Sequence, residues 1–361
     1  MMYDYLIVGQ GLAGTIVGYT LLQKNKSIVM IDQTQGDGCS QIAAGILNPV
    51  TGKRQVITWL ADKLFPFLFQ FYPQMEHTLS SKFFYPIPIY HPFESIEQQN
   101  TWIAQSASPQ WRDFIFDNLI DITDYQNLIH NYYLGGWIGN WTGYIDVPTM
   151  LKSFELEKNP RKTIIRTNFE YNLLKIHTDW VEWQGIKARK IIFCEGKQAL
   201  QNPFFPHLPF NLVKGEVLDL ALKQELEIHQ IINQGIFILP LNKRTIRVGA
   251  TYQWHNLDLT ITEQARKELT QKLDKIFKPR YEIIDQKAGI RPATKDRRPI
   301  IGLHKTYTNM AIFNGLGSKG ASLAPYFAHI FTDFLEGNTT EFTIWQSVLN
   351  PYRFERNELD K

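Results

Sequence analysis

The feature that most constrains the fold lies within the first thirty-two residues. Residues 5–8 are a short apolar run that predicts a buried strand, and they lead into the glycine-rich loop 9–14, Gly-Gln-Gly-Leu-Ala-Gly. Residues 15–23 are predicted to be helical and 27–31 to form a second strand, which ends at Asp32. Strand, glycine turn, helix, strand and acid in this order are the fingerprint of a dinucleotide-binding unit.

Each part of the fingerprint has a physical role toward a dinucleotide. Gly9 allows a tight turn, Gly11 carries no Cβ to block a pyrophosphate, and Gly14 lets the helix lie close to the sheet. The helix N-terminus offers unpaired N–H groups and a partial positive charge to phosphates. Asp32 is expected to accept hydrogen bonds from a ribose and to disfavour a 2′-phosphate. The contacts predicted for this unit are Gly9, Gly11, Leu12, Ala13, Gly14, Asp32 and Gln33.

Composition indicates a globular protein and gives no support for a nucleic-acid or membrane partner. With 361 residues, 44% hydrophobic and 20% charged, the chain is long enough for more than one domain. A net charge of +3 is too small to favour nucleic acid or an acidic membrane. Cys39 and Cys194 make neither a disulfide framework nor a metal site, so we expect a reducing, cytoplasmic setting. Residues 1–4 lead straight into the first strand, and no apolar run could span a bilayer, so we expect no signal peptide or membrane segment.

Small residues after the first unit suit close packing beside a cofactor. Residues 41–47 are small and apolar, and Ser40, Gln41, Ala44 and Gly45 are candidate cofactor contacts. The loop that follows contains Lys53 and Arg54. Either it is a solvated turn, or it lies at the edge of a bound cofactor or at the substrate mouth.

Two later segments are predicted to approach the same cofactor. Residues 188–193 form a predicted buried strand that ends at Glu195 and Gly196. Residues 309–313 form another, followed by a glycine turn and a helix over 321–335. The second helix N-terminus favours a flavin, because reduction places negative charge on the pyrimidine part of its ring. The candidate contacts in this turn are Asn314, Gly315, Gly317, Ser318, Lys319 and Gly320, of which Lys319 either adds a full charge or lies at the surface.

The middle of the chain reads as antiparallel strands with one helix. Residues 210–222, 228–241 and 245–252 are strand-like, and 242–244 join the last two as a hairpin. Residues 260–263, Thr-Ile-Thr-Glu, form a predicted capping box that opens a helix. The Lys/Arg-rich face of this helix is more typical of a solvated surface than of a nucleic-acid interface.

Together these motifs resemble the D-amino acid oxidase family of FAD-dependent oxidoreductases, and its glycine oxidase-like members most of all. The resemblance covers nearly the whole chain. It rests on the glycine turn with Asp32 and on the segments 43–46, 143–148, 213–216, 248–251, 289–302 and 314–320.

The resemblance implies an α/β fold with two domains. A Rossmann-like FAD-binding domain, with a parallel sheet and helices, is expected to be discontinuous, over 1–58, 140–205 and 285–361. A substrate or cap domain with a mixed, mostly antiparallel sheet is expected over 59–139 and 206–284.

The resemblance also implies three substrate-site residues. Arg291 matches the arginine that binds the substrate carboxylate, and it is counted with the cofactor contacts as well. Phe237 stands where relatives often carry a tyrosine, and Tyr252 falls in the same pocket region. For Arg291 the alternative is a structural ion pair, with Asp296 as its partner.

The implied reaction is oxidation of an amine or amino acid of glycine, D-amino acid or N-alkyl glycine type. A hydride passes to flavin N5, water hydrolyses the iminium, and electrons go on to oxygen or another acceptor. FAD is expected to be non-covalent, because Cys39 and Cys194 do not match the attachment pattern of sarcosine oxidase-like relatives. Two alternatives stay open: an oxidase acting on a carboxymethylaminomethyl group of a tRNA nucleoside, and a non-catalytic flavin-binding protein.

Overall fold

A computed structural model describes residues 2–33, 38–52, 55–118, 125–338 and 340–355. Lys53 and Arg54 therefore lie outside the described residues. The α-helices of the described part are α1 (Leu12–Gln23), α2 (Ala61–Leu79), α3 (Ile96–Ser106), α4 (Val147–Leu156), α5 (Glu263–Ile276), α6 (Gly320–Leu335) and α7 (Gln346–Leu349).

The strands of the described residues fall into two large sheets and two small ones. In chain order they are β1 (Met2–Val8), β2 (Ile28–Asp32), β3 (Ile46–Leu47), β4 (Val50–Thr51), β5 (Val56–Ile57), β6 (Phe84–Tyr85), β7 (Ile89–Pro92), β8 (Ile115–Asn118), β9 (Gly136–Gly139), β10 (Gly143–Ile145), β11 (Lys162–Arg166), β12 (Leu174–Ile176), β13 (Val181–Trp183), β14 (Ile186–Phe193), β15 (Val213–Leu222), β16 (Ile231–Asn233), β17 (Phe237–Asn242), β18 (Thr245–Gly249), β19 (Tyr281–Arg291), β20 (Ile300–Leu303) and β21 (Met310–Asn314).

The first large sheet is built around a parallel core. Five strands run parallel in the order β11-β2-β1-β14-β21, and β12, β13 and β20 extend the sheet in antiparallel fashion. Alternate residues of β1 enter two different cores: Ile7 packs on the side of α1 and α6, and Leu6 on the other. Because both faces are covered, β1 and β2 are almost continuously apolar.

The second large sheet is mixed and mostly antiparallel. Its order is β19-β15-β18-β17-β16-β7-β9-β8, and β16–β7 is its parallel pair. Helix α5 covers one face with Leu269, Leu273 and Ile276. The opposite face carries glycines at two facing positions, Gly215 of β15 and Gly289 of β19, and the side chains of Arg291 and Ile42 lie over them.

The predicted fold class is confirmed, since the described residues form an α/β structure with these two kinds of sheet. The division into two discontinuous domains stays a prediction. None of the described helices is both long enough and apolar enough to cross a membrane.

The predicted capping box at residues 260–263 is wrong in detail. Helix α5 is capped by Thr262, whose hydroxyl accepts a hydrogen bond from the N–H of Ala265. The reason is tertiary: the buried carboxylate of Glu216 holds the N–H and hydroxyl of Thr262, at 2.9 and 2.8 Å.

Candidate active site

Three parallel strands end side by side and form the floor of the candidate cofactor site. A Cβ placed on Gly9, after β1, would lie 2.6 Å from the carbonyl oxygen of Cys194, after β14. Asn314 of β21 donates its side-chain N–H to the carbonyl oxygen of Gly196 at 3.0 Å. The three predicted approaches to a cofactor therefore meet at one edge of the sheet, where ligands of open α/β sheets bind.

The glycines of the first turn differ in what surrounds them. A Cβ on Gly14 would lie 1.9 Å from the carbonyl oxygen of Gly9, so Gly14 is needed for the turn itself. A Cβ on Gly11 would meet only the hydroxyl of Ser40, at 3.2 Å. That hydroxyl also accepts the N–H of Leu12 at 3.1 Å. Gly11 therefore borders open space at the N-terminus of α1, where a phosphate is expected to approach.

Asp32 lies beside this turn at the end of β2. One carboxylate oxygen accepts the N–H of Gln10 at 3.0 Å, and the other pairs with Arg166 at 2.8 Å. Burial raises the pKa of Asp32, although the N–H of Gln10 and the Arg166 guanidinium act in the opposite direction. A carboxylate has about four acceptor sites, so Asp32 keeps capacity for ribose hydroxyls. Gln33, the next residue, accepts a hydrogen bond from Gln198 at 3.3 Å.

The second glycine turn brings the N-terminus of α6 to that of α1. Gly315 and Gly317 have φ of +70° and +55°, which other residues rarely adopt. A Cβ on Gly320 would lie 3.2 Å from a methyl group of Leu12, so the two helix starts are in contact. Both positive helix ends are thus available to one extended anionic ligand.

Lys319 reaches the segment after β3. Its Nζ donates to the hydroxyls of Thr51 and Thr58 at 3.2 and 3.1 Å. Burial lowers the pKa of Lys319 to about 8, and the nearby charges of Arg297 and Arg298 act in the same direction. Lys319 is therefore a partly buried cation, not a surface lysine.

Four further candidate contacts, from residues 13–45, have unequal surroundings. Gly45 has φ +64°, and a Cβ there would lie 1.9 Å from the carbonyl oxygen of Ile145. Ala44 packs in the apolar cluster that contains Phe237. Gln41 is exposed, and Ala13 packs against the main core.

Glu195 supports the end of β14 from within the protein. Its carboxylate accepts hydrogen bonds from Tyr171 at 2.5 Å and from Asn202 at 2.9 Å. Burial raises the pKa of Glu195 to about 7, although these two hydrogen bonds lower it. Each oxygen accepts one hydrogen bond, which holds Glu195 at the end of β14, and its contact with a cofactor stays a prediction.

The raised pKa predicts a pH-dependent stability. A carboxyl group that binds its proton more tightly in the folded state stabilises the fold below the unfolded pKa, and this stability is lost as the pH rises through 7. We expect Glu195→Gln to gain on the order of 2 kcal/mol relative to wild type between pH 5 and pH 8. Urea unfolding of both proteins at the two pH values measures the gain, and an equal difference at both would contradict it.

Arg291 lies flat against a glycine on the face of the second sheet that is opposite α5. A Cβ on Gly215 would lie 2.2–2.4 Å from three atoms of the guanidinium group. The Cζ of Arg291 is 4.7 Å from the ring centroid of Tyr252, and an Nη donates to the carbonyl oxygen of Thr251 at 3.3 Å. The Tyr252 hydroxyl reaches Ser318 of the second glycine turn at 3.4 Å. Arg291, Tyr252 and Ser318 therefore form one continuous group.

The alternative ion pair between Arg291 and Asp296 is contradicted by the structure. Asp296 instead makes a bidentate pair with Arg353, at 2.8 and 2.9 Å. Among the residues that the structure describes, no carboxylate lies within ion-pair distance of Arg291. Its guanidinium therefore keeps donors for an external anion.

Phe237 occupies the same face but does not touch Arg291. It faces Gly249 across the β17–β18 pair, and its ring lies 2.9 Å from the position of a Gly249 Cβ. Strands β15 and β18 lie between the strands of Phe237 and Arg291. The two side chains reach toward each other across them, because the guanidinium lies over Gly215 of β15 and the Phe237 ring over Gly249 of β18.

These residues fit an FAD molecule by the chemistry of their donors. The open position at Gly11 and the two helix N-termini suit a pyrophosphate and an electron-rich ring, and Asp32 suits a ribose.

Comparison with known proteins identifies the family. Residues 4–334 match the sequence profile of the family described as FAD dependent oxidoreductase. The chain belongs to this family of FAD-dependent oxidoreductases. The expectation drawn from the motifs is thereby confirmed.

Individual relatives of this flavoprotein are distant in sequence and close in fold. It is 22% identical, over 98% of its length, to the tRNA 5-methylaminomethyl-2-thiouridine biosynthesis bifunctional protein of Hahella chejuensis, and it spans 60% of that protein. Glycine oxidase from Bacillus cereus superposes with a TM-score of 0.78 at 18% identity, covering 95% of this chain and 97% of the other. Iminodiacetate oxidase from Chelativorans sp. superposes with a TM-score of 0.75 at 18% identity, covering 94% and 96%.

The sequence did not predict which residues hold the candidate site residues in position. Gly215 was part of a recognised motif but had no assigned role, and Thr51 and Thr58 were not singled out. For Gly215 the sequence held a signal. Side chains alternate between the two faces of a strand, so the glycine in Lys214-Gly215-Glu216 lies on the face opposite its charged neighbours. For the two threonines no local signal existed, because Lys319 reaches them from more than 250 residues away.

Proposed function

We propose that this flavoprotein oxidises a small amine that carries a carboxylate, of the glycine, D-amino acid or N-alkyl glycine type. The observation that carries the proposal is the unpaired guanidinium of Arg291, held on Gly215 and linked through Tyr252 to the second glycine turn. The fold shared with proteins named glycine oxidase and iminodiacetate oxidase supports it.

In this proposal the protein contributes binding and orientation. Arg291 grips the carboxylate through two parallel hydrogen bonds, which fixes both distance and direction. Tyr252 lies over the guanidinium and limits its movement. Bound FAD supplies the hydride acceptor. Positioning alone accounts for much of the rate in such a site, so a strong general base is not required.

The residues that would hold FAD are those of the two glycine turns. The N–H groups at the start of α1, next to Gly11, would take the pyrophosphate, and Asp32 the ribose. The start of α6, at Gly320, would stabilise negative charge on the ring. Lys319 would add positive charge at the same helix end, and this contribution would fall as the pH rises above about 8.

We also propose that FAD is bound non-covalently in a reducing, cytoplasmic setting. Cys194 is buried against Gly14, and burial raises the pKa of its thiol well above the ordinary value. Burial likewise raises the pKa of Cys39, and both thiols are unpaired. Acid precipitation of the holoprotein should leave free yellow flavin in the supernatant; colour retained in the pellet would contradict this.

An anaerobic screen tests the proposed reaction. Holoprotein is mixed with amino acids and N-methyl amines, each paired with its carboxamide, and bleaching of the flavin absorption is followed. We expect at least one carboxylate to bleach the flavin far faster than its amide. Readmission of air then shows whether oxygen or another acceptor reoxidises it. Bleaching by any amine would exclude the alternative of a non-catalytic flavin-binding protein.

Gly215→Ala is expected to displace Arg291 while leaving the fold intact. The added Cβ would overlap the guanidinium, which is the far end of a flexible side chain and can move. We expect KM for the carboxylate substrate to rise at least about tenfold, the factor for a loss of roughly 1.4 kcal/mol, with Tm nearly unchanged. In an Arg291→Ala background the same change should add little, because the two substitutions remove one interaction. Additive effects would show that Gly215 acts elsewhere.

A second candidate substrate is the carboxymethylaminomethyl group of a modified tRNA nucleoside. Tyr252, which lies over Arg291, is 52% exposed, and Trp254, two residues further along the chain, is 53% exposed; such rings can stack on a base. The relative from Hahella chejuensis is named for the biosynthesis of a modified tRNA nucleoside, 5-methylaminomethyl-2-thiouridine. The net charge of +3 gives little attraction to RNA. A salt-sensitive gel shift of tRNA would favour this candidate over a free amino acid.

A further inference from the structure

The segment that carries Tyr252, residues 250–262, is held in an unusual way. Several of its large side chains face solvent: Tyr252 is 52% exposed, Trp254 53%, Leu257 39% and Ile261 46%. Apolar burial therefore contributes little to its position. Two buried charged residues of β15, Lys214 and Glu216, contact it instead.

Lys214 connects to the middle and the far part of the segment. Its side chain is buried, and its Nζ donates to a carboxylate oxygen of Asp258 at 2.7 Å and to the carbonyl oxygen of Thr260 at 2.6 Å. Its backbone also pairs with Gln253 in both directions, at 2.8 and 2.9 Å. A buried ammonium group is costly unless its hydrogen bonds are made, so these contacts define where the segment can lie.

Glu216 connects to both ends of the segment. Its carboxylate accepts the N–H and hydroxyl of Thr262, at 2.9 and 2.8 Å, and the side-chain N–H of Gln286 at 2.8 Å. Its backbone N–H donates to the hydroxyl of Thr251 at 2.9 Å. Glu216 is fully buried. Truncation would leave several buried donors without a partner.

The residue between these two supports the other half of the site. Side chains alternate along a strand, so Gly215 faces away from Lys214 and Glu216 and toward Arg291. Thr251, which Glu216 holds, also accepts a hydrogen bond from Arg291 through its carbonyl oxygen. Residues 214–216 therefore position both groups. Gly215 contacts the guanidinium, and its two neighbours hold the segment that carries Tyr252.

We propose that Lys214 and Glu216 are positioning residues that hold segment 250–262 so that Tyr252 stays over Arg291 before the substrate arrives. The inference rests on the proposed function, in which Arg291 binds the substrate carboxylate. Its physical basis is preorganisation: the cost of ordering the site is met on folding and not on binding.

The test compares variants of the holoprotein in two measurements. The variants are Lys214→Met, with Lys214→Arg as the conservative rescue, and Asp258→Asn. Asp258 is 60% exposed, so its change weakens the same contact without disturbing the core. Hydrogen–deuterium exchange reports on residues 250–262, and a titration with methoxyacetate, read by flavin absorption, gives the Kd for a carboxylate that is not oxidised.

We expect Lys214→Met to speed exchange across 250–262 and to raise the Kd for methoxyacetate at least tenfold, while the Kd for FAD changes less than twofold. Asp258→Asn should produce smaller changes of the same kind, and Lys214→Arg should restore most of the affinity. If Lys214→Met does not fold, Asp258→Asn decides alone. Unchanged exchange, or faster exchange with unchanged carboxylate affinity, would overturn the proposal. If wild type binds no carboxylate, the proposed function fails. The exchange measurement alone then decides whether Lys214 holds segment 250–262 in place.

Discussion

Arg291→Ala is expected to lower kcat/KM for the carboxylate substrate about 100- to 1,000-fold, while FAD stays bound. The guanidinium of Arg291 is the cation that we place at the carboxylate. Loss of one partner of a desolvated, hydrogen-bonded charge pair costs about 2–5 kcal/mol, and a loss of roughly 2.7–4.1 kcal/mol, within that span, gives 100- to 1,000-fold. Because Arg291 lies on the second sheet and not on a glycine turn, the affinity for FAD should change little.

Two matched variants sharpen this prediction. Arg291→Lys keeps the charge but loses the planar fork, so we expect an intermediate loss. Arg297→Asn removes an exposed arginine six positions along the chain, and asparagine tolerates the positive φ of +59° at that residue. Equal losses in Arg291→Ala and Arg297→Asn would mean that only the local charge matters, and unchanged kinetics in Arg291→Ala would reject its role.

The second large effect is expected from the first glycine turn. Alanine substitutions at two of its glycines should have different consequences, one for the fold and one for FAD binding. Gly14→Ala places a Cβ 1.9 Å from a backbone oxygen of the same turn, so we expect the fold of this unit to be disrupted. Gly11→Ala meets only a side-chain hydroxyl, so the apoprotein should keep its Tm within a few degrees. The new methyl group would still occupy the approach of the pyrophosphate, and we expect the Kd for FAD to rise at least about 100-fold, or roughly 2.7 kcal/mol.

Fluorescence titration of FAD and thermal unfolding separate the two outcomes. If Gly11→Ala binds FAD like wild type, the pyrophosphate does not lie at this helix start. If Gly14→Ala is as stable as wild type, the contact between the turn and its own backbone does not constrain the fold. Either result would require a different placement of the cofactor.

The sequence predicted the elements whose rules are local. The first strand, glycine turn, helix and acid lie within thirty-two residues, and their geometry depends on neighbours in the chain. The second turn, at residues 314–320, was recognisable for the same reason. The structure confirmed the α/β class and placed both turns at one edge of the sheet.

Contacts between residues far apart in the chain could not be predicted from the sequence. That Asp296 belongs to Arg353 and not to Arg291 depends on a contact 57 residues apart in the chain. That Gly215 underlies Arg291 depends on the register of β15 against β19, 76 residues apart. The N-cap of α5 was misassigned for a similar reason, since Glu216 decides which threonine begins the helix.

In the proposed function, the flavin and the guanidinium of Arg291 border one chamber. A titration of the holoprotein with methoxyacetate, followed by flavin absorption, tests this arrangement directly. We expect a saturable shift of the flavin bands that 2-methoxyacetamide does not produce and that Arg291→Ala abolishes. A spectrum that does not respond to the carboxylate, or that responds equally to the amide, would contradict it.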